Sequence, residues 1–461
     1  MESDSPPRLR ANAWCGVAAE GDLAKDSLAW GAKRDVHVPQ QSLAAPVVDY
    51  NDWRDPQVGW GVILVDRPGL PNDALAMGSD APEPIRSLIK ARGNAPVFRH
   101  VPGSSKGVLR RYRVGAAASD LNLSGKRGVG ENAVPWYLLI VGSPKEIPWE
   151  VQYHLQTNAY VGRLDLNDEG LENYVEALLS DWSGSNRSAR TPVVWAVDKG
   201  YPDITRVMRR TIAEPLWSKL SNDKDVDTAQ GFLSDGAATC HDLVLALETR
   251  KPAFVVTSSH GATFPLTKPD EMSAQLGGLV DLANTVLVDQ TGSWIPSGAI
   301  WYAHACCSAG GSSESLFSGL VDSASTLGQT LDAIAKTGAQ TSPLSKKLLG
   351  MKGPLGAFIG HVEPTFDWTL VNPVTNQMMT EHIIRSLYDE LHLASRPTIG
   401  RAMLPYFAAT AGSLLDYDDA LDQIVAQGNV AKKRARAAKL LALDRLAMVI
   451  LGDPTVRLPP P

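Results

Sequence analysis

Two short runs constrain this chain more than anything else in it: Phe254-Val255-Val256-Thr257-Ser258-Ser259-His260-Gly261-Ala262 and Ile300-Trp301-Tyr302-Ala303-His304-Ala305-Cys306-Cys307-Ser308-Ala309-Gly310-Gly311. Each is an apolar, β-branched or aromatic stretch of strand length that stops abruptly in small and reactive residues. Strands of this kind belong to a parallel sheet covered on both faces, and the C-terminal edge of such a sheet delivers side chains into a crevice shaped by the following loops. One run brings His260 there and the other brings Cys306, 46 residues on (260 to 306).

The rest of the chain reads as scaffold for this pair. Apolar runs predict strands over 60–65, 135–142, 193–197, 253–259, 300–306, 355–362 and 447–451. Helical spacing falls between them, over 84–92, 168–179, 206–220, 240–249, 344–349, 378–391 and 432–440. Such alternation means right-handed crossovers and an α/β layout, a mostly parallel sheet flanked by helices. Residues 1–45 read as an irregular N-terminal arm, 46–188 as a smaller α/β subdomain, and 189–461 as the catalytic domain, with Ser183-Gly184-Ser185 as linker. Residues 152–166 read as a short extended unit, and the stretch up to 132 as a looser region. That region carries Lys106, Arg110, Arg111, Arg113, Lys126 and Arg127, a basic cluster that is either a solvated face or a docking surface.

Composition narrows the classes. A chain of 461 residues, 44% hydrophobic and 20% charged, is globular and long enough for two or three domains. A net charge of −6 gives no electrostatic case for nucleic acid or an anionic membrane as partner. The polar, proline-containing start and the lack of a long apolar run predict a cytoplasmic protein with no membrane association. The cysteines are Cys15, Cys240, Cys306 and Cys307, and an adjacent pair suits free thiols better than a disulfide framework.

A thiol becomes a strong nucleophile when a neighbour favours its thiolate, and a histidine does this while supplying the proton that a leaving amine needs. Gly261, without a side chain, lets its backbone N–H approach a bound peptide carbonyl, and with the N–H of the nucleophile it would make an oxyanion hole worth roughly 3 kcal/mol per donor. Gly310 and Gly311 would let the chain turn away sharply. The bland reading is a small buried thiol and a satisfied core histidine. A zinc site made of His260, His304, Cys306 and Cys307 fits poorly, because adjacent cysteines on a strand point to opposite faces and no Cys-x-x-Cys spacing occurs. No metal and no cofactor are expected. If the strand continues to residue 306, His304 and Cys306 share a face and Cys307 points away, which makes Cys306 the first candidate nucleophile and Cys307 the alternative.

The pairing of Ser-Ser-His-Gly-Ala with His-Ala-Cys-Cys-Ser-Ala-Gly resembles the caspase-fold cysteine peptidases (clan CD), and is most similar to bacterial gingipain-like and caspase-like peptidases. Pro135 to Gly142 with Val161-Gly162-Arg163-Leu164 resembles the gingipain-type N-terminal subdomain, and Gly353 to Val362 with Leu451 to Leu458 resembles the later strands of that family. The resemblance implies His260 as catalytic histidine and Cys306, after Ala305, as nucleophile of a dyad that works through a thioester. The Cys-x-Ser-Gly spacing of metacaspases and legumain can be laid on Cys307 instead. In this family the residue two before the cysteine, here His304, lines the primary specificity pocket, and the loop with Glu363, Asp367 and Trp368 forms its other wall. Carboxylates there favour a basic residue before the cleaved bond. The implied function is a regulated bacterial cysteine endopeptidase acting on protein or peptide substrates, with a regulatory protein partner and a defence or stress role by analogy. The rival expectations are an inactive caspase-fold scaffold for protein interaction and a Cys/His amidase acting on small molecules.

Overall fold

The computed structural model describes residues 8–33, 48–123 and 125–459. The parts of the expected N-terminal arm at 1–7 and 34–47 lie outside the described residues. Among the described residues the strands are, in chain order, β1 (Arg8–Trp14), β2 (Ala18–Asp22), β3 (Trp60–Val65), β4 (Val97–His100), β5 (Val108–Arg113), β6 (Ala116–Asn122), β7 (Tyr137–Val141), β8 (Tyr160–Leu164), β9 (Val193–Ala196), β10 (Phe232–Leu233), β11 (Phe254–Ser258), β12 (His260–Ala262), β13 (Leu279–Val280), β14 (Val286–Leu287), β15 (Ile300–His304), β16 (Gly310–Gly311), β17 (Gln340–Thr341), β18 (Ala357–His361) and β19 (Met448–Gly452).

Twelve of them form one sheet in the order β10-β9-β11-β15-β18-β19-β8-β7-β3-β4-β5-β6. From β10 to β18 every pair is parallel, as is every pair from β19 to β4. The two parallel halves run in opposite directions because β18 and β19 pair antiparallel. A second sheet, β14-β13-β12-β1-β2, stands at the end of the first half, just past the C-terminus of β11.

Strand alternation explains the two covered faces. Trp195, Val255, Trp301 and Phe358 enter one core cluster, while Val194, Val256, Ile300, Tyr302 and Ile359 enter another on the opposite face. The first cluster also takes Val62, Leu64, Tyr137 and Leu139 from the other half. The sheet and this core therefore run without interruption across residue 188, where the sequence suggested a domain boundary.

Three local expectations are corrected. Residues 8–14 and 18–22, read as irregular, are strands: Leu9, Ala11, Ala13 and Ala19 are fully buried, and small alternating residues on a sheet between two neighbours give no strong apolar signal. The stretch read as extended begins as the helix Trp149–Gln156 before β8. Gln152 and Gln156 look like a solvated stripe but are buried, donating to the Ile450 carbonyl at 3.0 Å and to the Leu446 carbonyl at 2.7 Å. The loose basic region contains the β5–β6 hairpin, in which Arg110 pairs with Asp120 across the ladder at 2.8 Å. Arg111 donates to the Gly130 carbonyl at 2.6 Å and Arg127 to that of Asn158 at 2.7 Å, so these side chains tie the fold together.

Within the second half, β8 and β19 touch closely. A Cβ added to Gly162 would stand 2.0 Å from the Gly452 carbonyl oxygen, a backbone atom that cannot turn aside. Gly162→Ala is therefore expected to lower the unfolding free energy by about 1–3 kcal/mol, read as a shifted urea midpoint at unchanged slope. An unchanged midpoint would mean that β8 and β19 are not tightly packed there.

Candidate active site

Adjacent parallel strands end side by side, so the residues beyond β9, β11, β15 and β18 converge. Ser258 pairs with His304, and the chain continues as His260-Gly261 on one side and Ala305-Cys306 on the other. Gly261 lies against the second turn: a Cβ there would fall 1.9 Å from the Cys306 carbonyl oxygen and 3.0 Å from its nitrogen. Gly277 does the same to the Cys307 carbonyl at 1.9 Å. The two cysteines are thus clasped between two glycines. Gly310 also meets a backbone, with a Cβ at 2.2 Å from the Gln340 carbonyl; it serves a close strand pairing, β16 with β17, in place of the sharp turn expected.

The strand ends at His304, so its alternation does not extend to the cysteines and cannot decide between them. Cys307 has φ +54°, the left-handed region, which costs a non-glycine residue about 1–2 kcal/mol. Cys306 Sγ and Cys307 Sγ lie 3.4 Å apart, and both residues are fully buried. Burial, with the neighbouring Cys307 thiol and the Glu363 carboxyl, pushes the Cys306 thiol well above its ordinary pKa.

His260 is fully buried and its ring is oriented by a residue the sequence reading missed. Nε2 lies 3.0 and 2.9 Å from the two carboxylate oxygens of Asp203. Burial alone would raise the Asp203 pKa, but His260 and the Thr205 hydrogen bonds outweigh it and bring it to about 2. Asp203 is set by local structure: it caps the helix Ile204–Met208, accepting from the Thr205 N–H at 2.8 Å, in the loop beyond β9. An Asp heading a helix in the loop after the strand next to β11 was the signal available. With Nε2 facing a carboxylate, the proton of a neutral imidazole sits on Nε2 and the Nδ1 lone pair is free. Nδ1 is buried and has no hydrogen-bond partner.

The expected pocket residues divide. His304 is buried, with Nδ1 at 2.9 Å from the Tyr302 hydroxyl, Nε2 at 3.4 Å from Thr365 Oγ1, and its ring edge-on to His361 at 4.9 Å; burial lowers its pKa to about 3. It supports the 363–367 loop from beneath. Glu363 is buried, accepting from the Ser315 hydroxyl at 3.0 Å, and burial raises its pKa to about 8. Asp367 accepts from the Arg10 N–H at 3.4 Å and faces its guanidinium at 3.7 Å; burial takes it up to about 6. Trp368 is half-buried against the main core. Among the described residues no three His, Cys, Asp or Glu side chains group as they would to hold a metal ion, and no helix is long and apolar enough to cross a membrane.

No protein-family model matches this chain, and no curated protein matches it. It is similar to a solved structure named "Structure of Protease", at 10% identity over 88% of this chain and 79% of that one, with a TM-score of 0.42. A likeness that distant transfers neither fold family nor chemistry.

Glu363 has a measurable signature. Its folded pKa lies above the unfolded value near 4.5, so between the two the native state holds a proton that the unfolded state has lost. Stability contributed by this group is full below pH 4.5 and falls as pH rises towards about 8. Glu363→Gln should remove that decline, with a difference on the order of a few kcal/mol between pH 5 and 8 in urea titrations. Parallel pH profiles would place Glu363 in water.

Proposed function

We propose that this chain is a cysteine endopeptidase in which His260 and Cys306 cleave peptide bonds and Asp203 positions the histidine. The observation that carries the reading is His260 itself, held through Nε2 by a carboxylate, with a bare Nδ1, on a segment whose next residue is seated on the Cys306 backbone. That arrangement suits base catalysis at a thiol.

Cys306 passes its proton to His260 Nδ1 as the sulfur attacks the peptide carbonyl carbon. The imidazolium formed is stabilised by Asp203, as a buried carboxylate does in hydrolase triads. The tetrahedral intermediate expels the amine, which takes the proton from Nδ1, and leaves a thioester on Cys306. Water, deprotonated by the same Nδ1, then releases the acid and restores the thiol. The N–H groups of Gly261 and Cys306 are the proposed oxyanion donors. Cys307, with its thiol beside that of Cys306, is the alternative nucleophile.

His304, Glu363, Asp367 and Trp368 belong to the substrate side of this reading, with different parts. The buried, largely protonated Glu363 cannot serve as a free carboxylate for a basic substrate residue near neutral pH. A preference for a basic side chain rests on Asp367, which here holds Arg10. A protein or peptide substrate, control by a regulatory protein and a bacterial cytoplasmic setting complete the proposal on the strength of the sequence resemblance alone.

The test is hydrolysis of a peptide library beside four variants. Cys306→Ala and His260→Ala should abolish cleavage, Cys307→Ala should retain it, and Asp203→Asn should lower kcat by about 10²–10⁴ with little change in KM. Cleavage that survives Cys306→Ala but not Cys307→Ala would transfer the nucleophile to Cys307. Cleavage that survives both would end the proposal.

A further inference from the structure

The predicted substrate cleft has two walls, the β12 segment after His260 and the 363–367 loop after β18, and β1 lies between them. Asn12 donates its N–H to the Thr365 carbonyl at 3.2 Å and its Oδ1 accepts from the Thr365 N–H at 3.0 Å. Ala11 bridges antiparallel to Phe366, and Arg10 reaches Asp367. Two residues on, β1 pairs with the other wall: Ala13 opposite Gly261 and Trp14 opposite Ala262, with the Thr263 N–H on the Trp14 carbonyl at 2.9 Å.

In a parallel ladder alternate residues turn both backbone groups towards the partner. The Ala262 N–H goes the other way, to the Gly278 carbonyl at 2.8 Å. Gly261, like Thr263, therefore faces β1, and the register sets its N–H opposite the Asn12 carbonyl. The proposed oxyanion donor is already taken by a peptide carbonyl. Beyond it the Trp14 ring lies 5.4 Å from the His260 ring, with the Lys199 ammonium 4.6 Å from its other side. His260, Cys306 and Asn12 are all fully buried.

We propose that β1 is an autoinhibitory strand that occupies the peptide-binding cleft in the manner of a substrate, with Asn12 where the residue before the cleaved bond would lie, so that peptide enters only after β1 leaves. This rests on the peptidase reading of the site. The chain after β1 and β2 is anchored at the helix Ser27–Ala32, whose Trp30 carbonyl accepts from Lys439 at 2.8 Å and whose Gly31 lies on the Arg436 backbone. β1 is thus tethered at its C-terminal end, and it stands between partners 248 (Ala13 to Gly261) and 355 (Ala11 to Phe366) residues further along the chain.

The experiment measures iodoacetamide alkylation of Cys306 by peptide mapping, and in parallel peptide hydrolysis, in the full chain and in Asn12→Pro, which removes the N–H held by Thr365. Cys240, buried beside Asp281, reports unfolding. Expected is at least about tenfold faster alkylation of Cys306 with Cys240 still protected, a matching rise in hydrolysis, and reversal of both by the synthetic peptide RLRANAW. Should Asn12→Pro expose Cys240, Arg10→Glu, which sets two carboxylates against each other, gives the same readout. Faster alkylation and reversal without any hydrolysis would uphold the occluding strand and sink the peptidase reading. Unchanged alkylation in a folded variant, or a parent protein that already cleaves peptides as fast as the variants, overturns the inhibitory strand.

Discussion

The structure depends on the antiparallel seam between β18 and β19. Five residue pairs, from Ala357 with Gly452 to His361 with Met448, join two parallel half-sheets that would otherwise each end in an open edge. Buried polar groups concentrate around it. Tyr174 donates to the Gly356 carbonyl at 2.6 Å and accepts from the Asp453 N–H at 2.7 Å. The Asp453 carboxylate takes the Trp60 indole at 3.0 Å and the Arg92 guanidinium at 3.3 Å, with both charged side chains almost wholly enclosed. Removing one partner of such a set leaves the other stranded out of water, which is far costlier than losing a surface pair. β18 carries the loop that forms one side of the site, so the seam also fixes where that loop begins.

Much of this could be read from the residues. β3, β7, β11, β15, β18 and β19 are apolar runs buried on both faces, and the helix Asp168–Leu179 announces itself by its acidic first turn and its Asn167 cap. What escaped has physical reasons. β1 carries only Leu9 and Trp14 among Ala, Asn and Arg, and much of its burial comes from partners hundreds of residues away. The glutamines of Trp149–Gln156 donate to the Leu446, Met448 and Ile450 carbonyls, a tertiary fact with no local trace. The helix Leu404–Asp422 has apolar residues at helical spacing but is interrupted by Gly412 and by a run of acids near its end, so its pattern is weak. At the site, His260 and the cysteines stood out because reactive residues follow strands. Asp203 did not, because its meaning comes only from β9 lying next to β11.

The arrangement around Cys306 is dry, and dryness has a definite chemical sense. A thiolate in that surrounding is penalised by burial and by nearby acidic groups, so the sulfur rests protonated. The His260 and Asp203 pair is set beforehand, and Asp203 is the member with a small contact with solvent. Opening the β1 side would uncover the His260 ring, which Trp14 now covers, while leaving its bond to Asp203 in place. A site built this way separates orientation, which is permanent, from reactivity, which depends on what lies in the cleft.

β19 is the last strand of the chain and sixth of twelve in the sheet. A nascent chain can form the β3–β7–β8 half early, and can extend β9, β11 and β15, yet the place between β18 and β8 stays empty until residues 448–452 emerge. The central layer therefore closes only when β19 takes its place, and a chain without residues 448–452 would retain both His260 and Cys306 without the frame that brings them together.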